Sequence, residues 1–233
     1  TAVKDAADKP LKHVVVQTMM RVIPPQPLKP GQSITFSVEW NYNINDATKM
    51  RARTGYEYFK EDKNHLYAIA QWFPRMCAYT DVTGWQNKQY LGTGEFALEF
   101  GNYTVRITVP SDHVVASTGE LQNADKILSK NQRDRLVKAR NSEKPVFIVN
   151  LAEAKANEKE KAKGKKTWIF KADNVRDFAF ASSRKFLWDA MGVDLNGKKI
   201  MAMSYWPKEG EPLWSRYSTH AVAQTLEVYS RYT

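Results

Sequence analysis

The sequence predicts a mainly β protein, a saddle-like β-sandwich with a short helical insertion and a helix towards its C-terminal end. Two segments, 34–44 and 103–109, alternate apolar and polar residues with a period of two, which is the pattern of half-buried strands. Aromatic residues, which favour strands, make up 12% of the chain. A sustained helical period appears only from Pro212 onwards.

The first half of the chain is predicted to consist of short strands and turns. Residues 1–31 form an entry segment whose prolines at 24, 25 and 27 exclude a helix. The strand at 34–44 is expected to end at Asn45-Asp46, and 46–54 is expected to be a loop. Further strands are predicted at 56–58, 66–72 and 96–100, with a turn at Gly84 and a tight hairpin at Gly101-Asn102 before strand 103–109.

The second half adds helices. Ser129 and Gln132 have the spacing of a capping box, so a helical insertion is predicted at about 123–141. Strands are expected at 146–151, 168–172, 175–181 and 199–206, and the lysine-rich run 155–166 is expected to be a solvated loop. From Pro212, apolar residues recur at three to five positions, which predicts an amphipathic helix. A domain seldom ends on such a helix, so more chain is expected to follow.

Composition limits the classes of function. The net charge of +10 is compatible with an anionic partner, but no basic-aromatic motif accompanies it, so nucleic-acid binding is the weakest expectation. Cys77 is the only cysteine, which excludes an intrachain disulfide and a cysteine-based metal site. Its apolar neighbours favour a buried thiol over a nucleophile. No apolar run is long enough to predict a membrane span.

Four segments in order carry a resemblance to a known family: 67–110, 112–121, 170–181 and 217–232. The diagnostic residues are Gln71-Trp72-Phe73-Pro74-Arg75 and, later, Gly84-Trp85. Together, over roughly residues 32–233, they resemble the N-terminal region of zinc aminopeptidases of the aminopeptidase N and leukotriene hydrolase type, in a bacterial branch. That branch contains exported enzymes, so an exported or periplasmic location is one expectation and a cytoplasmic location the other.

The resemblance implies a domain layout. Residues 1–211 would form an N-terminal β-saddle domain, and 212–233 would be the first helix of a thermolysin-like catalytic domain. In the family, zinc is held by an H-E-x-x-H motif and a later Glu, which this sequence lacks. Its histidines, His13, His65, His113 and His220, show no ligand spacing and are expected to be surface or packing residues. The segment alone is therefore expected to bind no zinc and to be inactive, with no catalytic residue.

The resemblance also implies one substrate contact. A Gln or Glu of the β domain binds the α-amino group of the peptide substrate in this family, and Gln71 is the matching candidate. An amide oxygen can accept from an ammonium, although less strongly than a carboxylate. The alternative is that Gln71 is an ordinary polar residue at a strand end. Trp72 and Phe73 are weaker candidates for the wall of a pocket, and core packing is the alternative for both.

Two functions therefore remain open at this stage. The first is the N-terminal domain of a zinc aminopeptidase, which caps the active-site cleft, packs on the catalytic domain of the same chain and contacts peptide substrates. The second is a non-catalytic β-sandwich that binds carbohydrate or protein partners through exposed aromatic residues such as Trp85, Trp72 or Tyr90. Coplanar, exposed tryptophans would favour the second.

Overall fold

The structure is a computed structural model that describes residues 1–50, 53–92 and 97–232. It divides into two compact units by the density of internal contacts. Unit 1 comprises Thr1–Ile44 and Trp72–Gly101, and unit 2 comprises Asn45–Gln71 and Asn102–Thr233.

Short strands dominate the described residues, so the predicted mainly β class, consistent with a β-sandwich, is confirmed. The strands are β1 (Ala2–Asp5), β2 (Lys12–Val16), β3 (Met19–Ile23), β4 (Phe36–Glu39), β5 (Gly55–Phe59), β6 (Asn64–Ile69), β7 (Tyr79–Thr80), β8 (Gly84–Trp85), β9 (Gly101–Pro110), β10 (Val114–Ser117), β11 (Glu120–Leu121), β12 (Val146–Val149), β13 (Lys165–Val175), β14 (Phe180–Ser183), β15 (Phe186–Leu195) and β16 (Lys198–Pro207). The helices are α1 (Ala47–Met50), α2 (Ala124–Ile127), α3 (Lys130–Arg140), α4 (Leu151–Glu160) and α5 (Leu213–Tyr229).

Unit 1 is built from antiparallel strand pairs, β1 with β4, β2 with β3 and β7 with β8. The long strand predicted at 34–44 is reduced to β4, and the outer residues Ile34, Tyr42 and Ile44 are exposed. The alternation correctly predicted that Phe36 and Val38 are the more buried residues of this strand. However, a strand extends only as far as a partner satisfies its backbone groups, and β1 offers four residues.

The other predicted strand in this region is also corrected. Phe96 lies outside the described residues, and 97–100 form no strand. Gly101-Asn102 does not form a hairpin turn, because β9 already begins at Gly101. Pairing with β13 extends this strand over ten residues.

Unit 2 contains three sheets, with strand orders β10-β14-β6-β5, β11-β13-β9 and β12-β15-β16. The longest hairpin joins β15 to β16 over ten residue pairs, from Phe186 opposite Pro207 to Leu195 opposite Lys198. Asn196 and Gly197 connect the two strands, and both have positive φ angles. Strand β15 was not predicted, although Asn-Gly between two apolar runs is a strong hairpin signal that would have located it.

The helical predictions were partly right. The insertion is confirmed as α2 and α3, and Ser129 and Gln132 form the predicted capping box. The lysine-rich run is not a loop, because α4 continues to Glu160 and β13 begins at Lys165. A second capping box, Asn150 with Glu153, starts α4 where a strand end had been predicted. The loop predicted at 46–54 contains the short helix α1, and its residues 51 and 52 lie outside the described ranges.

Helix α5 begins where the sequence predicted and packs on the β15–β16 hairpin. Its Ala223 is buried with Met191, Val193 and Ala202 in one apolar cluster, which Val222 and Leu226 extend. This packing groups α5 with unit 2 by contact density. The domain boundary predicted before Pro212 stays a prediction.

Candidate functional site

Gln71 lies just after β6, and its backbone adopts a left-handed conformation with a φ of 52°. Such a conformation is uncommon for a residue other than glycine and costs about 1–3 kcal/mol. Strained residues of this kind concentrate at ligand-binding and catalytic sites. The side chain of Gln71 is exposed, so its amide oxygen is accessible to a donor.

Trp72 and Phe73 are half-buried and pack in an aromatic group of unit 1. Their ring centroids are 5.0 Å apart in an edge-to-face arrangement, and Trp72 is 6.1 Å from Trp40. The Trp40 indole also donates a 3.0 Å hydrogen bond to the Trp72 carbonyl. This geometry fits the packing role expected for Trp72.

Phe73 also lines a cavity of about 320 Å³ in unit 1, together with Met20, Phe36 and Cys77. Arg75 places its guanidinium 5.7 Å from the centroid of the Phe73 ring. Cys77, which lines this cavity, is half-buried rather than fully buried as predicted. Among the sequence candidates, Phe73 and Tyr90 thus both line this cavity.

Two of the histidines, His65 and His113, pack on the ring of Tyr67, with ring centroids 5.9 and 6.3 Å from it. His113 is buried, and its Nδ1 lies 2.8 Å from the Ser182 hydroxyl. Burial, with the nearby Arg184 charge, lowers the pKa of His113 to about 4. His65 packs 4.8 Å from the Tyr58 ring, and Nδ1 of His13 lies 3.0 Å from the Leu11 carbonyl.

A charge cluster in unit 2 contains the three carboxylates that lie close enough together to share an ion. Asp62, Glu158 and Glu209 are the group of this kind found among residues 1–50, 53–92 and 97–232. The buried Lys185 ammonium contacts all three, and Lys208 contacts them as well. Lysine ammonium groups therefore occupy the position between these oxygens. The donor set also lacks histidine, so these residues do not fit a zinc ion.

The charges in this cluster are strongly coupled. Burial raises the pKa of the Asp62 carboxyl, but hydrogen bonds from Lys185 and Lys208 outweigh it and hold that pKa at about 2. Lys185 is fully buried and lies 4.4 Å from the Phe59 ring centroid. The cluster joins the β5–β6 turn to α4 and to the start of β15, which is a structural role that the sequence did not predict.

Helix α5 carries apolar residues on two opposite faces. One face packs on unit 2 through Thr219, Val222, Ala223 and Leu226. The other is exposed and aromatic, with Leu213 62% exposed, Trp214 45% and Tyr217 60%. At 100° per residue, Val228 lies on this second face too, and it is 40% exposed. The apolar stripe predicted from the sequence is divided between the two faces, because Leu226 packs on unit 2 whereas Trp214, Tyr217, Ala221 and Tyr229 are exposed.

Comparison with known proteins gives no match, whether to family models, to curated proteins or to solved structures. Within the described part of the chain, no helix combines the length and the apolar character needed to cross a membrane.

Proposed function

We propose that this chain is the N-terminal β region of a zinc-dependent aminopeptidase, which removes N-terminal residues from peptides. The observation that carries the proposal is the second apolar face of α5. A helix that is apolar on both sides is normally covered on both sides. The proposal assigns this cover to a catalytic domain of the same protein, in which α5 would be the first helix.

Zinc would be bound outside these 233 residues. The carboxylate cluster around Lys185 does not fit the ion, and no histidine belongs to the group of potential ligands found among the described residues, so no catalytic step is assigned to this chain. Its own part is to cover the cleft and to bind the substrate. The ordered resemblance over residues 32–233 supports this division of labour.

Gln71 is the residue proposed to contact the substrate. Its exposed amide supports this role over that of an ordinary strand-end residue. An amide oxygen would accept a hydrogen bond from the α-ammonium group of the peptide. Within unit 1, Trp72 is proposed to have a packing role with Trp40, and Phe73 is proposed as a wall of the cavity that it lines.

The carbohydrate- or protein-binding alternative has less support. Trp85 and Tyr79 are both exposed, at 54% and 60%, and their ring centroids are 5.2 Å apart. Their planes meet at 74°, however, so they offer no coplanar platform on which sugar rings could stack.

Labelling of single cysteines tests whether the exposed face of α5 is buried in the full-length protein. In a background with Cys77 replaced by Ser, Tyr217→Cys should react with a thiol reagent in the 233-residue chain and be protected in the full-length gene product. Glu227→Cys, on a polar side of the same helix, is the control and should react in both. Equal reaction of Tyr217→Cys in both proteins would count against the proposal.

A further inference from the structure

Unit 2 contains a second cavity, of about 730 Å³, which neither the sequence nor the proposed function assigns. This volume is within the usual range for small-molecule sites. Its lining extends from exposed residues, such as Val137 and Lys199, to Trp168 and Trp188, which are 1% and 2% exposed. The cavity therefore leads from the surface into the core of the unit.

Flat aromatic walls form the inner part of the cavity. Trp188 of β15 stacks on Tyr205 of β16 with ring centroids 5.1 Å apart, and Trp168 stacks on Phe170 along β13 at 6.2 Å. Helix α5 contributes aliphatic side chains to the same lining. Such walls favour a ligand with a planar or aliphatic apolar body.

Hydrogen-bond donors in these walls lack acceptors. In the described residues, Nε1 of Trp168 and Nε1 of Trp188 are both buried and have no hydrogen-bond partner. An indole can only donate, and an unsatisfied buried donor is costly. The Tyr205 hydroxyl donates to the Met203 sulfur at 3.5 Å, which is a weak acceptor. Both indole nitrogens are shielded from solvent, so the cavity presents the ring faces of Trp168 and Trp188 to a ligand rather than these donors.

The exposed end of the cavity carries an excess of positive charge. Arg140, in the last turn of α3, and Lys199, on β16, both line it, against one carboxylate, Glu120. The Lys199 ammonium is held by a 3.0 Å hydrogen bond to Asn141. Charge complementarity at this end favours an anionic group.

We propose that the cavity binds an amphipathic organic anion with a planar or aliphatic apolar body. The body lies between the aromatic walls formed by Trp168 and Trp188. The anionic group lies at the exposed end, beside Arg140 and Lys199. This site is separate from the proposed contact of Gln71 with peptides.

Two fluorescent probes test the proposal on the full chain. Anilinonaphthalene sulfonate is anionic, and N-phenylnaphthylamine has the same aromatic body without the sulfonate. The sulfonate should bind with one-to-one stoichiometry, more tightly than the neutral probe, and with energy transfer from the tryptophans. Equal affinities for the two probes, or no binding of the sulfonate, would overturn the proposal.

Variants locate the binding. Lys199→Ala should weaken binding of the sulfonate about fivefold, whereas Lys198→Ala, its neighbour outside the lining, should leave it unchanged. Trp188→Phe keeps a ring but reduces the apolar area of the wall and should weaken binding about tenfold.

Val222→Phe fills the cavity from α5 and should abolish binding. Circular dichroism checks that each variant is folded, because partly folded proteins also bind this probe. If Val222→Phe is unfolded, Trp168→Phe is tested in its place. Like Trp188→Phe, it should weaken binding of the sulfonate about tenfold. Unchanged affinity in the folded variants would contradict the proposed site.

Discussion

Thr219 of α5 donates a hydrogen bond from its hydroxyl to Oδ1 of Asp189, a carboxylate buried in β15. The other oxygen of Asp189 is buried without a partner among the described residues. Burial raises the pKa of Asp189 to about 6, against the hydrogen bond from Thr219, which lowers it. This pair holds α5 on the sheet and thereby fixes which face of the helix is left exposed.

Replacing Thr219 with Val is expected to destabilise the protein in a pH-dependent way. The variant leaves the Asp189 carboxylate without its donor, which should cost about 2 kcal/mol near pH 8. Near pH 5 the carboxyl is largely protonated, so the cost should be smaller. Urea unfolding followed by tryptophan fluorescence measures both values. Thr219→Ser keeps the hydroxyl and should lower the free energy of unfolding much less. An equal loss of stability in Thr219→Val at both pH values would contradict the role of the charge.

Asp189→Asn should stabilise the protein at high pH. The pKa of Asp189 is higher in the folded state than the unfolded value of 3.8, so its contribution to stability is fully present below 3.8 and is lost as the pH rises through about 6. Removing the charge should therefore raise the free energy of unfolding near pH 8 by up to about 3 kcal/mol, with little change near pH 4. Lower stability of the variant near pH 8 would count against this account.

His113 is expected to change the stability of the protein with pH in the opposite direction to Asp189. Its pKa is about 4 in the folded state and 6.5 in the unfolded state. Its contribution to stability is therefore fully present above pH 6.5 and is lost as the pH falls towards 4. His113→Gln should therefore show a flatter fall in the free energy of unfolding between about pH 7 and pH 4.5. His13→Gln, on the surface hairpin, is the control and should follow the wild type.

Lys185 is expected to be essential to the charge cluster. Lys185→Met leaves three carboxylates facing one remaining lysine, and breaking a buried ion pair in this way should destabilise the protein by about 3–5 kcal/mol. Adding Glu158→Gln removes one of these charges and should recover part of the loss. A double variant no more stable than the single variant would show that packing rather than charge sets the cost.

Gln71 offers a test of the proposed substrate contact in the full-length gene product. Gln71→Ala should lower kcat/KM for peptides about 10- to 100-fold, because a hydrogen bond to a charged group is lost. Gln17→Ala is a matched control, since Gln17 is also exposed and also has a left-handed backbone, with a φ of 51°. Gln71→Glu should retain or raise kcat/KM, because a carboxylate binds an ammonium more strongly. Equal effects of the two alanine substitutions would refute the contact.

The sequence predicted the fold best where local signals were complete. The Ser129–Gln132 capping box and the alternation over 103–109 led to α3 and most of β9. The prediction failed where contacts with other residues determine the secondary structure. The many lysines near α4 led to the prediction of a loop. The helix depends instead on the Asn150–Glu153 cap and on burial of Glu158 beside Lys185, and composition shows neither contact.

The candidate site was predicted only in part. Gln71 was selected by resemblance, and the structure adds its left-handed backbone, which no local pattern indicated. The cavity at Trp168 and Trp188 is lined by residues of seven elements, β10, β11, α3, β13, β15, β16 and α5, so no local motif could reveal it.

The central claim is tested most directly by assaying the full-length gene product for release of N-terminal residues from aminoacyl nitroanilides, with zinc measured in the same sample. The account predicts activity with about one zinc per chain, lost on chelation and restored by zinc, while the 233-residue chain alone is inactive and binds none. A full-length product that is folded but binds no zinc and releases no product would contradict it.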